Sequence, residues 1–163
     1  NLLLFLEQLA QHFNIDNVYQ TFEDIEGFEN SLQILLYEDR HFKDYNILYF
    51  NVKGSDNQID IDNYFYSFEE IAELFEGKLS NKIIHFTNTF LLNITPEEAQ
   101  YFLDVTGARG ISGYSKKAPV LSTVLDGFYF NLCQTITDPI ELVETLYDEK
   151  YALCKTLGFT FYY

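Results

Sequence analysis

Tryptophan and methionine are absent from this chain of 163 residues, proline occurs three times and cysteine twice. Lysine and arginine together number 10, against 25 aspartates and glutamates. Each scarcity carries information. Cys133 and Cys154 form no CxxC and have no paired Cys/His spacing, so no thiolate zinc site, other metal or cofactor is expected. Both fall inside helical patterns and read as packing residues. Two buried thiols in a chain this size point to a reducing compartment, and so to the cytoplasm. The formal charge of −15 argues against nucleic acid, since a phosphate backbone would be repelled. No run approaches the roughly 20 apolar residues of a membrane span. Leu2 to Leu6 is apolar but lacks the basic flank and small-residue cleavage site of a signal peptide. A natural chain begins with methionine, so Asn1 is expected not to be the natural start.

What is present fits one folded domain spanning 1–163, with room for a proper core. The chain is 47% apolar and 18% aromatic, and its 16 Phe and 13 Tyr supply much of the core volume. The charge is uneven. Residues 1–81 carry four basic and 16 acidic side chains, a net of −12. Residues 82–163 carry six and nine, a net of −3. This asymmetry serves solubility, or a basic partner surface.

Leu2, Phe5, Leu6, Leu9, Ala10 and Phe13 keep helical spacing. Val18 to Phe22 reads as a short strand. Glu23 to Glu26 places acids at the start of a second helix, whose buried stripe is Phe28, Leu32, Leu35 and Leu36. Tyr45 to Val52 is nearly all apolar, as a central parallel strand must be. Lys53 to Asn57 is a turn cluster, and Gln58 to Asp62 alternates like one arm of a hairpin. Ser67 and Glu70 make a capping box for a helix carrying Phe68, Ile71, Ala72 and Phe75, ended by Gly77. Lys82 to Phe86 is a buried central strand that opens into Thr87-Asn88-Thr89.

Thr95-Pro96 starts the next helix, with Ala99, Phe102 and Leu103 inward and Gly107 at its end. Arg109 to Gly113 is a short strand with close backbone approaches. Val120, Val124, Phe128 and Leu132 follow at i, i+4 in a longer helix. Asp138-Pro139 opens a last helix that runs to Gly158, with Ile140, Val143, Tyr147, Tyr151 and Cys154 inward. Phe159 to Tyr163 is a final strand. Strand and helix alternate throughout. That pattern predicts an α/β fold, a three-layer α/β/α sandwich on a mainly parallel central sheet.

Three strand ends should therefore meet at one edge, where open α/β sheets hold their ligands. They are Lys53-Gly54, Thr87 to Thr89, and Ser112 to Ser115, and they belong to the stretches Val52-Lys53-Gly54, Ile84-His85-Phe86-Thr87-Asn88-Thr89, and Thr106-Gly107-Ala108-Arg109-Gly110-Ile111-Ser112-Gly113-Tyr114. In element order and in these stretches the chain resembles the caspase-like cysteine peptidase clan, nearest to its CHAT-type bacterial relatives. In that clan the first strand end carries a His-Gly whose His is the general base. The second carries the nucleophilic Cys, and the third builds part of the substrate pocket. Here Lys53 stands at the position of the base and Thr89 at that of the nucleophile.

The resemblance thus implies a caspase-like domain without its Cys–His dyad. It implies a pseudo-peptidase that acts as a binding, regulatory or scaffolding module in bacterial signalling or defence, with a protein or peptide partner. The cleft residues it implies are Gly54, Asn88, Ser112 and Tyr114. It also implies a first strand upstream of residue 1, lying between Val18–Phe22 and Tyr45–Val52; the alternatives are a strand from another chain, or a rearranged sheet in which the two strands pair directly. A third reading is a degenerate domain kept for its surface inside a larger assembly.

The chemistry agrees with the loss of peptidase function. A cysteine works because part of it is thiolate near neutral pH. A threonine hydroxyl is a far weaker acid and needs a base held against it, and a lysine is protonated unless strongly desolvated. The alternative is a hydrolase of altered Thr89/Lys53 chemistry, like the Ser–Lys variants of other folds. His85 sits on a sheet face and reads as a buried structural histidine. His12 and His41 read as surface residues. Asp56, Asn57, Asp60 and Asp62 lack EF-hand spacing and read as a polar hairpin. Glu69, Glu70, Glu73 and Glu76 read as a solvated helix face.

Overall fold

The computed structural model describes residues 2–55 and 57–163. Asp56, one of the residues read as a polar hairpin, lies outside them. The described residues form seven α-helices, a four-stranded sheet and a three-stranded sheet, a mixed α/β architecture. They separate into two compact units.

The larger unit, residues 20–117 with Phe159–Tyr163, contains both sheets. It opens with α2 (Ile25–Gln33), capped by the Asp24 carboxylate, which accepts from the Gly27 N–H at 2.7 Å. A π-helical turn at Ile34–Glu38 ends that helix. The strands β1 (Ile47–Phe50), β5 (Ile83–Phe86), β6 (Gly110–Tyr114) and β7 (Phe159–Tyr162) form the main sheet in the order β1-β5-β6-β7. The first three are parallel and β7 runs antiparallel to β6, so the sheet is mainly parallel, as its apolar strands predict. All four residues of β5 are fully buried, which fits its central place.

Alternation sorts the side chains of this sheet onto two faces. Leu48, Phe50, Ile84, Phe86 and Ile111 point to one. There they join Phe28, Ile71, Ala72, Phe75, Ala99 and Phe102 in a single apolar core. Those partners come from α2, α3 (Phe68–Leu74) and α4 (Pro96–Thr106). Tyr49, His85, Ser112 and Tyr114 point to the other face. The capping box forms as its sequence predicts. Ser67 Oγ accepts from the Glu70 N–H at 3.1 Å, and Glu70 Oε1 accepts from the Ser67 N–H at 3.2 Å. Thr95 Oγ1 caps α4 by accepting from the Glu98 N–H at 3.1 Å, and Gly107 ends the helix in the left-handed region at φ 77°.

The small sheet holds β2 (Lys53–Ser55), β3 (Gln58–Ile61) and β4 (Tyr64–Ser67), all antiparallel. Two sequence expectations change here. Lys53 to Ser55 forms a strand rather than a loose turn, because Gln58–Asp60 folds back to supply its ladder. Tyr64 to Ser67 adds a third strand with no counterpart in the sequence reading. A larger correction concerns Val18 to Phe22, which forms no strand. No neighbouring ladder receives it, and Val18 and Tyr19 stay about half exposed. Among the described residues β1 is an edge strand, paired only with β5.

The smaller unit runs up to Tyr19 and resumes at Ala118–Gly158. It holds α1 (Leu2–Phe13), α5 (Pro119–Cys133), α6 (Pro139–Glu149) and α7 (Tyr151–Leu157). Phe5 of α1 meets Phe130 of α5 with ring centroids 6.5 Å apart. Two readings of this unit are corrected. The buried side of α5 is Leu125, Tyr129, Phe130 and Cys133, while Val120 and Val124 are exposed. Both flanks of that helix are apolar, so spacing alone does not choose between them. The last helix breaks at Lys150 (φ −131°, ψ 41°); Leu142 and Leu146 turn inward and Ile140 and Tyr151 are exposed, while Cys154 is buried as its spacing predicts.

Candidate functional site

Parallel strands put their C-terminal ends on one edge, and two predicted site residues meet there. After β1 the chain runs through Asn51 and Val52 into Lys53. After β5 it runs through Thr87 and Asn88 into Thr89. The two segments are joined by backbone: the Thr87 N–H donates to the Phe50 carbonyl at 3.2 Å, and the Gly54 N–H to the Thr89 carbonyl at 3.2 Å. Gly54 is required at this crossing. A Cβ there would lie 2.1 Å from the Gln58 carbonyl oxygen and 2.6 Å from the Phe90 ring.

The hydroxyls at this edge are engaged with the chain itself. Thr89 Oγ1 donates to the Val52 carbonyl at 2.5 Å. Thr87 Oγ1 lies 2.6 Å from Thr89 Oγ1 and 3.1 Å from Asn51 Oδ1. Each threonine has one proton to give. With the Thr89 proton on Val52, the Thr87 proton goes to Thr89 or to Asn51. No basic group enters the network. A backbone carbonyl orients the Thr89 hydroxyl but cannot deprotonate it. Lys53 is exposed, and its side chain makes no hydrogen bond or ion pair among the described residues.

The other predicted cleft residues do not line an open surface. Asn88 is buried, and its Nδ2 donates to the Lys116 carbonyl at 2.7 Å. Tyr114 is fully buried at the end of β6, its carbonyl accepting from the Leu92 N–H at 2.8 Å. Ser112 lies in mid-strand, also fully buried. Its Oγ is 2.7 Å from His85 Nδ1, across the β5–β6 ladder. The His85 ring stacks on Tyr49 at 5.7 Å and meets the edge of Tyr114 at 5.4 Å. This histidine is fully buried, as its position on a sheet face predicts. One of its partners, Ser112, belongs to the neighbouring strand.

Asn51 was not singled out in the sequence. It became part of the site only because β1 ends beside β5, which no local pattern reveals. The polar hairpin is real at its described positions. Asn57 makes a two-way amide clamp on Asn93, at 2.7 and 2.9 Å, and Asp60 accepts from the Asn63 N–H at 3.1 Å. Among the described residues no group of three or more His, Cys, Asp or Glu could hold a metal ion, and no helix is long and apolar enough to cross a membrane.

No curated protein and no solved structure matches this sequence. The model of one family, described as Family of unknown function (DUF6642), matches residues 1–163, and the chain belongs to that family.

Proposed function

We propose that this protein is a caspase-like domain, a three-layer α/β/α sandwich in its finer form, that binds a protein or peptide partner and does not cleave it. The observation that carries the reading is the hydrogen bond from Thr89 Oγ1 to the Val52 carbonyl at 2.5 Å. A nucleophile needs its proton facing a base. Here that proton faces backbone, and the nearest histidine, His85, is fully buried. The strand order β1-β5-β6-β7 and the two loops meeting after β1 and β5 support the resemblance. The exposed rim of this edge, Lys53 and Thr89, is the surface offered to a partner. A regulatory or scaffolding role in bacterial signalling or defence follows from the resemblance, and the two buried cysteines, which form no disulfide among the described residues, support a reducing cytoplasm.

The test is incubation of purified protein with a broad peptide library, read by mass spectrometry. No cleavage above a buffer blank is expected, from the native protein or from Thr89→Ala. Cleavage present in the native protein and lost in Thr89→Ala would establish the Thr89/Lys53 hydrolase instead.

A further inference from the structure

Opposite the closed edge, the segments that precede β1 and β5 also lie side by side. Between them is a cleft of about 380 Å³, lined by Leu36, Asp39, Arg40, Phe42, Lys43, Tyr45, Asn46, Lys78, Ser80, Asn81 and Lys82. Its content departs sharply from the rest of the chain. Four of the 10 lysines and arginines of a −15 protein line this one space. None of the four forms an ion pair among the described residues.

The nearby carboxylates do not pair with them. Asp39 Oδ1 accepts from the His41 N–H at 2.8 Å. Asp44 Oδ2 lies 3.3 Å from His41 Nδ1. Counting four cations and these two acids leaves a formal local charge of about +2 inside an acidic molecule. Lys82 forms the floor. It is 4% exposed, and its Nζ donates to the carbonyls of Phe42 and Tyr45 and sits 4.3 Å from the Phe42 ring centre. An ammonium has three N–H bonds. The third has no acceptor among the described residues. Lys78 rests over the Tyr37 ring at 4.1 Å, which orients it without neutralising it.

We propose that this cleft binds the phosphate group of a small phosphorylated molecule. A phosphate dianion matches the local charge. It takes a paired contact from the planar Arg40 fork and point contacts from Lys43 and Lys78. The remaining N–H of Lys82 meets it from below, and Ser80 and Asn81 add neutral donors. A volume near 380 Å³ suits a ligand of nucleotide size, at the lower end of small-molecule pockets. It does not suit a polymer, which the surrounding acidic surface repels. The ring of Tyr45 and the aliphatic Leu36 offer apolar contact for the rest of the ligand.

Isothermal titration calorimetry with pyrophosphate, at ionic strength held constant with sodium chloride, tests this. Saturable binding is expected. It should weaken by about tenfold or more in Arg40→Gln/Lys78→Gln and stay within about twofold in Lys116→Gln/Lys117→Gln. Neither Arg40 nor Lys78 carries an ion pair, so the double variant keeps its fold, checked by circular dichroism. Amide shifts of Ser80 and Asn81 on titration locate the site. Absence of saturable binding, or binding unchanged in the double variant, would overturn the proposal. Citrate binding as tightly would replace phosphate by a carboxylate ligand, and equal affinity for an oligothymidine would make the cleft a nucleic-acid site. Both results defeat the assignment to a small phosphorylated ligand.

Discussion

The two edges of the main sheet are made alike, from short segments that join parallel strands to neighbouring elements. They differ in what their polar groups face. At the C-terminal edge the donors and acceptors of Asn51, Thr87 and Thr89 are directed at each other and at the Val52 carbonyl. At the N-terminal edge Lys82 gives donors to the chain, whereas Arg40 and Lys43 line the cleft with no ion pair among the described residues. The hydroxyls of the first edge are satisfied internally. The second carries unspent charge. Position at the C-terminal ends of parallel strands favours a ligand site, but the hydrogen-bond accounting decides whether anything is left for a ligand.

The sharpest way to break the closed edge is to force its two loops apart. Gly54→Ala would set a methyl group 2.1 Å from the Gln58 carbonyl oxygen. That contact is with backbone and cannot be relieved by a rotamer change. A loss of about 3 kcal/mol is expected from urea unfolding. A loss below about 0.5 kcal/mol would mean that the crossing of β2 over the Thr89 loop is not fixed as described.

At the opposite edge the expected effects divide by role. Lys82→Met leaves the Phe42 and Tyr45 carbonyls without their charged donor and should cost about 2 kcal/mol. Lys43→Gln, at an exposed cation with no partner, should stay within about 0.5 kcal/mol. Equal effects in the two variants would erase the distinction between a lysine that holds the fold and one that waits for a ligand. Back at the closed edge, Thr89→Val removes one donated hydrogen bond and should cost about 1 kcal/mol. No measurable change in stability would show that the hydroxyl is not committed to Val52.

This division also explains what could be read from the sequence. The strands Ile47–Phe50 and Ile83–Phe86 announce themselves as apolar runs, and the starts at Ser67, Thr95 and Asp138 by cap chemistry that acts within four residues. The meeting of Lys53 with the Thr89 loop followed from parallel strand order. Val18–Phe22 misled because a strand is defined by its partner, not by its own alternation. The break at Lys150 carries neither Pro nor Gly. The cationic cleft was hidden most thoroughly. Lys43 and Lys78 lie 35 positions apart in the sequence, and only the adjacency of β1 and β5 brings the segments that precede them together.

The smallest expected effect sharpens the comparison through pH. Burial lowers the pKa of Lys82 below its ordinary 10.5, opposed in part by the charge of Asp44. Between the folded value and 10.5 the unfolded chain binds more protons, so this residue makes stability rise with pH across that window. Tyr162 has the opposite sign. Its hydroxyl donates to the carbonyl of Ile94, in the loop that leaves the C-terminal edge, at 3.0 Å. Burial raises its pKa above the ordinary 10.0, and the charge of Glu98 adds to the rise. Above pH 10 the folded chain holds that proton longer, so the stability present below pH 10 is lost as pH climbs toward the folded value. Tyr66 and Tyr147 are raised by burial in the same direction, and the Cys154 thiol is pushed up to about 11. The native profile therefore falls at high pH, and the two edges are separated by differences. Urea midpoints measured from pH 8 to 11 should decline more steeply in Lys82→Met than in the native protein, and less steeply in Tyr162→Phe. A Lys82→Met profile parallel to the native one would show that the Lys82 ammonium is as well solvated as an exposed lysine, and the floor of the cleft would then be open to water.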